Sequence, residues 1–222
     1  MKVAVIYTST TLELIEMIND QLNSKFDGKD LVIKSYQDPS ILQEVIDNGH
    51  PTHGSARRLM DMYEQAIKDG ADILLNVCSS VGDIAKLAKP LYEKTGVKFV
   101  RIDEEMAMEA VRTGKRIGII ATLPTALEPT KRLVQDCADL LGKKINIVDA
   151  LAEGAFGLDQ EQFKKMLIDT GAKVKDKVDA LVFAQGSMSY AEEDVSKALG
   201  VPVFSSIKYG IAEVKKAADS LE

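Results

Sequence analysis

Lys2-Val3-Ala4-Val5-Ile6-Tyr7-Thr8 and Arg116-Ile117-Gly118-Ile119-Ile120-Ala121-Thr122 are two copies of one pattern. Each has a basic residue, an apolar run and a closing threonine, at an offset of 114 (116 against 2). Neither run alternates apolar with polar residues, which suits strands buried on both faces of a parallel sheet. The repeat continues outward. The same offset pairs Thr11 with Thr125, and Asp72-Ile73-Leu74-Leu75 matches Asp179-Ala180-Leu181-Val182 at 107 (179 against 72). Gly96-Val97 and Gly200-Val201 match at 104, as do Glu109 and Glu213. Strands are predicted at 2–7, 31–36, 72–77, 97–102, 116–121, 144–149, 179–184 and 201–205. Helical periodicity falls between them at 12–22, 56–68, 83–94, 105–113, 125–141, 160–174, 191–199 and 211–218. Strand then helix, repeated, is α/β architecture. The pattern predicts two similar four-stranded parallel-sheet units, related by an approximate two-fold. Ligands of such sheets sit at the carboxyl ends of the strands, so a site is expected in the cleft between the units.

Composition narrows the function classes. The chain has 222 residues, 45% hydrophobic and 28% charged, with 28 Lys+Arg against 34 Asp+Glu for a net charge of −6. That balance argues against nucleic acid as the main partner. No apolar run approaches a membrane span, and Met1 to Ile6 reads as a strand rather than a secretory leader. Two cysteines in a chain of this length make no disulfide framework, so a reducing, cytoplasmic setting is expected. Leu221-Glu222 reads as a vector scar and is left out of functional reasoning. A homodimer is expected only because dimers are common among globular enzymes.

The residues that follow the strands carry the chemistry. Thr8-Ser9-Thr10-Thr11 pairs with Thr122-Leu123-Pro124-Thr125, and Asn76-Val77-Cys78-Ser79-Ser80-Val81-Gly82 pairs with Phe183-Ala184-Gln185-Gly186-Ser187-Met188-Ser189. Hydroxyls and backbone N–H groups at helix starts suit a small carboxylate; the same residues also serve as plain helix caps. Cys78 precedes a helix beginning near Gly82 or Asp83. From position alone its thiol reads equally as an acid/base of lowered pKa or as a small buried hydrophobe. Cys137 shares a helical face with Leu133, Leu140 and Leu141 and reads as core. His50 and His53 flank Pro51 in a segment, 37–54, also containing Pro39, Gly49 and Gly54. It reads as a mobile, exposed loop rather than a metal site, with a catalytic acid on a closing lid as the alternative. Arg57 and Arg58 follow as surface charges or a carboxylate clamp. Arg101, at a buried strand end, needs a partner: Asp103, Glu104 or a substrate carboxylate. No GxGxxG or P-loop lysine supports nucleotide binding.

Three segments together resemble the aspartate/glutamate/hydantoin racemase superfamily: Asn76-Val77-Cys78-Ser79-Ser80-Val81-Gly82, Arg101-Ile102-Asp103-Glu104-Glu105-Met106-Ala107 and Ile119-Ile120-Ala121-Thr122-Leu123-Pro124-Thr125. The resemblance covers essentially the whole chain. It implies two α/β domains, 1–100 plus 207–222 and 101–206, the C-terminal helix returning to the first. It also implies chemistry on a small carboxylate without pyridoxal phosphate, metal or other cofactor. In that family one thiolate removes the proton α to a carboxylate while a thiol on the opposite face delivers another, each half supplying one. Cys78 takes the first place. The offset of 107 puts Gln185 in the second, and an amide hydrogen-bonds but does not exchange protons at a useful pKa. Cys137, mid-helix, is no substitute. Three readings follow. Cys78 is the acid/base of a racemase or isomerase whose second donor is a lid histidine, Glu104 or a water. Or it protonates one face of an enediolate, by analogy with arylmalonate decarboxylases. Or the fold binds a small acid without turnover. In the first reading Thr8, Thr11, Ser79, Ser80, Thr122, Thr125 and Ser187 position carboxylate or carbonyl oxygens, Arg101 meets a carboxylate, and Gln185 orients substrate on the face opposite the thiol.

Overall fold

A computed structural model describes residues 1–9, 11–26, 30–155 and 157–221. Thr10 in the first strand-end turn and Glu222 of the terminal pair lie outside the described residues. The chain divides into Met1–Ile102 with Ile207–Glu222, and Asp103–Ser206.

The first unit contains β1 (Lys2–Tyr7), α1 (Leu12–Lys25), β2 (Val32–Gln37), α2 (Pro39–Asn48), α3 (His53–Lys68), β3 (Ile73–Asn76), α4 (Gly82–Lys94) and β4 (Lys98–Arg101). Its sheet has the order β2-β1-β3-β4, all parallel. The lack of polar alternation in β1 is explained by cover on both sides. Val3, Val5 and Tyr7 share one core with Leu14, Ile18 and Leu22 of α1. Ala4 and Ile6 share the other with residues of α2, α3 and α4. The second unit contains α5 (Glu104–Thr113), β5 (Arg116–Ala121), α6 (Pro124–Leu140), β6 (Asn146–Leu151), α7 (Gln160–Ala172), β7 (Ala180–Phe183), α8 (Glu192–Leu199) and β8 (Val203–Phe204). Its parallel order is β6-β5-β7-β8. α9 (Ser206–Asp219) returns to the first unit, where Ile207, Ile211, Val214 and Ala218 join the core of α1. It passes the end of β4 so closely that a Cβ on Gly210 would lie 2.8 Å from the Ile102 carbonyl oxygen.

The registers reproduce the sequence repeat. β1 meets β3 at Ile6↔Asn76, and β5 meets β7 at Ile120↔Phe183, the offsets being 114 and 107. Leu74↔Phe99 and Leu181↔Val203 give 107 and 104 in the same way. The amino ends repeat as well. Asp72 Oδ2 accepts from Lys2 N at 2.7 Å, and Asp179 Oδ2 accepts from Arg116 N at 2.8 Å.

Segment 37–54 is not a loop. Asp38 caps α2 by accepting from Ser40 N at 3.0 Å, Pro39 starts the helix, and Gly49 ends it at φ 74°. Ile41 and Val45, one turn apart, are fully buried. Pro39 and Gly49 are therefore helix punctuation, at a start and a stop. Thr52 and Ser55 then form a reciprocal cap on α3. His50 is exposed with its ring Nδ1 3.1 Å from the Pro51 carbonyl, and His53 is exposed in the first turn of α3. The expected face around Cys137 also needs correction. Leu133 and Cys137 are buried, but Leu140, the last residue of α6, is 78% exposed, and the chain leaves the helix through Gly142 (φ 63°).

Asp179 gives the fold a defined acid dependence. Hydrogen bonds from the Arg116 side chain, then from the backbone N–H groups of Arg116 and Lys115, hold its carboxyl down at about 2. A folded-state pKa below the unfolded value of about 3.9 means a contribution present above that value and lost as pH falls toward the folded one. Urea unfolding of wild type and Asp179→Asn should therefore show a stability gap at pH 7 that narrows between about pH 4 and pH 2. A gap independent of pH would remove the carboxylate from this role.

Candidate functional site

In the first unit the strand ends gather Thr8, Asn76, Cys78, Ser79, Ser80 and Arg101. After β3 the chain keeps one further ladder bond, Val77 N donating to Ile6 O at 3.2 Å, and then turns into a short 3₁₀ helix, Ser79–Val81, that leads into α4. Cys78 stands at the start of that turn, half-buried and outside any disulfide. Its carbonyl accepts from Asn76 Nδ2 at 3.2 Å. Asn76 Oδ1 in turn accepts from the hydroxyl of Tyr63, from α3, at 2.8 Å. Ser79 and Ser80 are buried beside it. Arg101 is 3% exposed. It packs against Gly82 at the start of α4, where a Cβ would fall 2.5 Å from Arg101 Nη2. Burial pushes the Tyr63 phenol well up; the charge of Cys78 raises it further and that of Arg101 opposes this. Cys78 and Arg101 thus act electrostatically on one buried hydroxyl.

Thr11 is exposed and precedes α1 without a side-chain capping bond. Thr8 is buried, and its Oγ1 has no hydrogen-bond partner among the described residues.

In the second unit the strand ends bring Thr122, Thr125, Gln185 and Ser187 into the same fold positions. Here the amide of Gln185 clasps Thr122. Its Oε1 accepts from Thr122 N at 2.8 Å, and its Nε2 donates to Thr122 Oγ1 at 2.8 Å. The clasp ties the end of β7 to the end of β5 and leaves the amide only part of its capacity for a ligand. Thr125, in the first turn of α6, is buried, and its Oγ1 has no partner among the described residues. Ser187 is half-buried in the 3₁₀ segment Gly186–Ala191.

The contrast between the units follows from one position. Thr8 and Thr122 are repeat mates, as are Cys78 and Gln185. Glutamine at 185 satisfies its threonine; cysteine at 78, with no amide, leaves Thr8 unsatisfied. A buried polar group without a partner costs stability unless a ligand completes it. Sequence reasoning missed Tyr63, gave Asn76 no role, and missed Ser189 and Ser206, whose hydroxyls are also buried and unpartnered. The available signal for Asn76 was its pairing with Phe183, an amide where the other copy of the strand has an aromatic ring. Cys137, buried in α6, makes a weak Sγ contact with the Glu104 carbonyl at 3.9 Å. Among the described residues no group of three or more His, Cys, Asp or Glu is arranged to hold a metal ion, and no helix is long and apolar enough to cross a membrane.

Residues 3–214 match the model of the family described as Asp/Glu/Hydantoin racemase. Curated protein sequences contain no match to this chain. Among solved structures the chain is similar to allantoin racemase from Klebsiella pneumoniae, with 18% identity, a TM-score of 0.66, and coverage of 99% of this chain and 88% of that one. An aspartate racemase from Picrophilus torridus is 16% identical with a TM-score of 0.68, covering 98% and 94%. A glutamate racemase isoform from Bacillus anthracis is 13% identical with a TM-score of 0.73, covering 98% and 81%. At these identities the likeness is one of fold.

Opposite stability effects at the two threonines test the contrast between the units. Thr122→Val removes the clasp's hydroxyl partner and should destabilise by about 1–3 kcal/mol in urea unfolding. Thr8→Val removes an unsatisfied hydroxyl at nearly constant shape and should leave stability unchanged or raise it by about 1 kcal/mol. Equal losses at both would mean that Thr8 is satisfied within the protein.

Proposed function

We propose that this chain, which belongs to the Asp/Glu/Hydantoin racemase family, is a cofactor-independent racemase or isomerase. It moves a proton at the carbon α to the carboxylate or carbonyl of a small acid or amino acid, and Cys78 is the acid/base. The observation that carries this reading is the placement of Cys78. It is the cysteine at a strand's carboxyl end, half-exposed and held by its own carbonyl, while Cys137 is buried in a helix. A thiol suits the task because its reference pKa of about 8.5 lies close enough to neutrality for both protonation states to be used.

A proton α to a carboxylate leaves only when the charge that develops on the oxygens is stabilised in place. Thr8, Ser79 and Ser80 in the first unit, and Thr122, Thr125 and Ser187 in the second, are the donors assigned to those oxygens, with Arg101 as the cationic member near the thiol. Thr8 and Thr125 support this best, because their buried hydroxyls have no partner among the described residues. Thr11 is the weakest member, being exposed. Gln185 is assigned the face opposite the thiol. Held by Thr122, it orients substrate through its remaining hydrogen-bonding capacity and carries no proton. A reducing cytoplasmic setting completes this reading, since a disulfide would silence the thiol.

The Gln185 clasp also favours a second reading, in which Cys78 protonates one face only and the enzyme is a lyase. Proton exchange separates the two. The D and L forms of aspartate, glutamate and allantoin, taken from the structural neighbours, form a first substrate panel in deuterated solvent. Racemisation gives both enantiomers with deuterium at Cα; lyase chemistry gives one-sided incorporation or release of carbon dioxide. Either activity should fall at least about a hundred-fold in Cys78→Ser, whose hydroxyl is far too weak an acid to replace the thiol. Full activity in Cys78→Ser sinks the assignment. Saturable binding without exchange, unaltered in Cys78→Ala, identifies a binding protein instead.

A further inference from the structure

We propose that Tyr63 and Asn76 are positioning residues for Cys78, acting as a buried relay that fixes the peptide from which the thiol projects. The proposal rests on the reading of Cys78 as the reactive thiol. The relay has two links: the Tyr63 hydroxyl donates to Asn76 Oδ1 at 2.8 Å, and Asn76 Nδ2 donates to the Cys78 carbonyl at 3.2 Å. The order matters. The Cys78 carbonyl, an acceptor only, requires the NH2 end of the amide, so Oδ1 faces the Tyr63 hydroxyl and accepts from it. Tyr63 and Asn76 are both buried, which makes the bonds costly to break and hard for water to replace. The Tyr63 ring is itself wedged edge-on against Phe99 and Tyr92, with centroids 5.1 and 5.8 Å away. The backbone of Asn76 is pinned as well, its carbonyl accepting from Ile102 N at 3.1 Å.

The repeat shows that this relay is not part of the generic fold. At the offset of 107, Tyr63, Asn76 and Cys78 correspond to Thr170, Phe183 and Gln185. The second unit builds the equivalent turn after β7 with Phe183 in the place of Asn76, and ties it down through Gln185 and Thr122 instead. An amide and a phenol buried together are therefore unnecessary for the strand or the turn. They occur in the copy that carries the thiol. The upward push that Cys78 exerts on the Tyr63 phenol places the two groups within electrostatic reach of each other.

Tyr63→Phe tests the relay with the least damage, because the ring and its aromatic neighbours remain. Asn76→Leu breaks both links at once. In the full chain, three quantities are compared with wild type: kcat and KM for Cα–H exchange, the rate at which iodoacetamide alkylates Cys78 (located by mass spectrometry), and Tm. Each single variant should lose about ten-fold in kcat, as expected for a displaced reacting group, with KM within about two-fold. The alkylation rate of Cys78 should change at least three-fold. The double variant should be no worse than Asn76→Leu, because Tyr63 acts through Asn76. Wild-type kcat and alkylation in Tyr63→Phe, or losses that multiply in the double variant, overturn the proposal. A lower Tm with both rates unchanged also overturns it, since that is the mark of a purely structural pair. Where Asn76→Leu does not fold, Tyr63→Phe decides through the same rates. Failure of the catalytic reading appears separately, as activity surviving in Cys78→Ala. The alkylation rate in Tyr63→Phe then still decides the relay.

Discussion

The parallel register of β1 with β3 places the residues of the candidate site in the first unit. Ile6 lies opposite Asn76, and the next ladder bond, from Val77 N to Ile6 O, is the last before the chain leaves the sheet. That termination puts residue 78 at the mouth of a turn with Thr8 on the neighbouring strand. The second unit terminates β5 and β7 at equivalent places, with Ala184 N donating to Ile120 O. Residue 185 and Thr122 are therefore set up by the same backbone geometry. The scaffold offers two matched positions, a cysteine at one and, at the other, a glutamine that ties two strand ends together.

Chemistry separates the two copies at that point. A thiol is a weak hydrogen-bonding group and a useful acid; an amide is a strong hydrogen-bonding group and no acid at all. Cysteine at 78 leaves the Thr8 hydroxyl unsatisfied and relies on Asn76 and Tyr63 to fix its peptide. Glutamine at 185 clasps Thr122 and needs neither. The first copy holds a buried hydroxyl with no partner among the described residues, while in the second the equivalent threonine is braced by an amide. This division is the physical basis for the proposal of one reactive thiol in a fold whose family resemblance implies two.

The sheets were legible in the sequence because β1 and β5 are covered on both faces and so appear as unbroken apolar runs. Offsets of 114, 107 and 104 between copies correspond to the registers residue for residue. Segment 37–54 was misread because Pro39 and Gly49 were weighed as loop formers. Asp38 ahead of Pro39, and Ile41 with Val45 one turn apart, carry the helix signal. Cys78 was legible as a candidate because it follows a strand. The clasp was not, since it joins residues 63 apart through side chains whose orientation only the folded chain fixes. Tyr63 was hidden for a similar reason: within α3 it looks like any core aromatic, and its hydroxyl acquires meaning only where it meets Asn76.

The central claim is that a single thiol serves one face of the reacting carbon. It is tested most directly by following deuterium in recovered substrate and in product, starting from each pure enantiomer in deuterated solvent. The account predicts asymmetry. The enantiomer whose Cα–H faces Cys78 should return to the substrate pool carrying deuterium, because the thiol exchanges its proton with solvent, while its mirror image should label differently through a donor of another chemical type. Mirror-image labelling from the two enantiomers, with deuterium confined to product in both directions, would require two matched acid/base groups and would contradict the account.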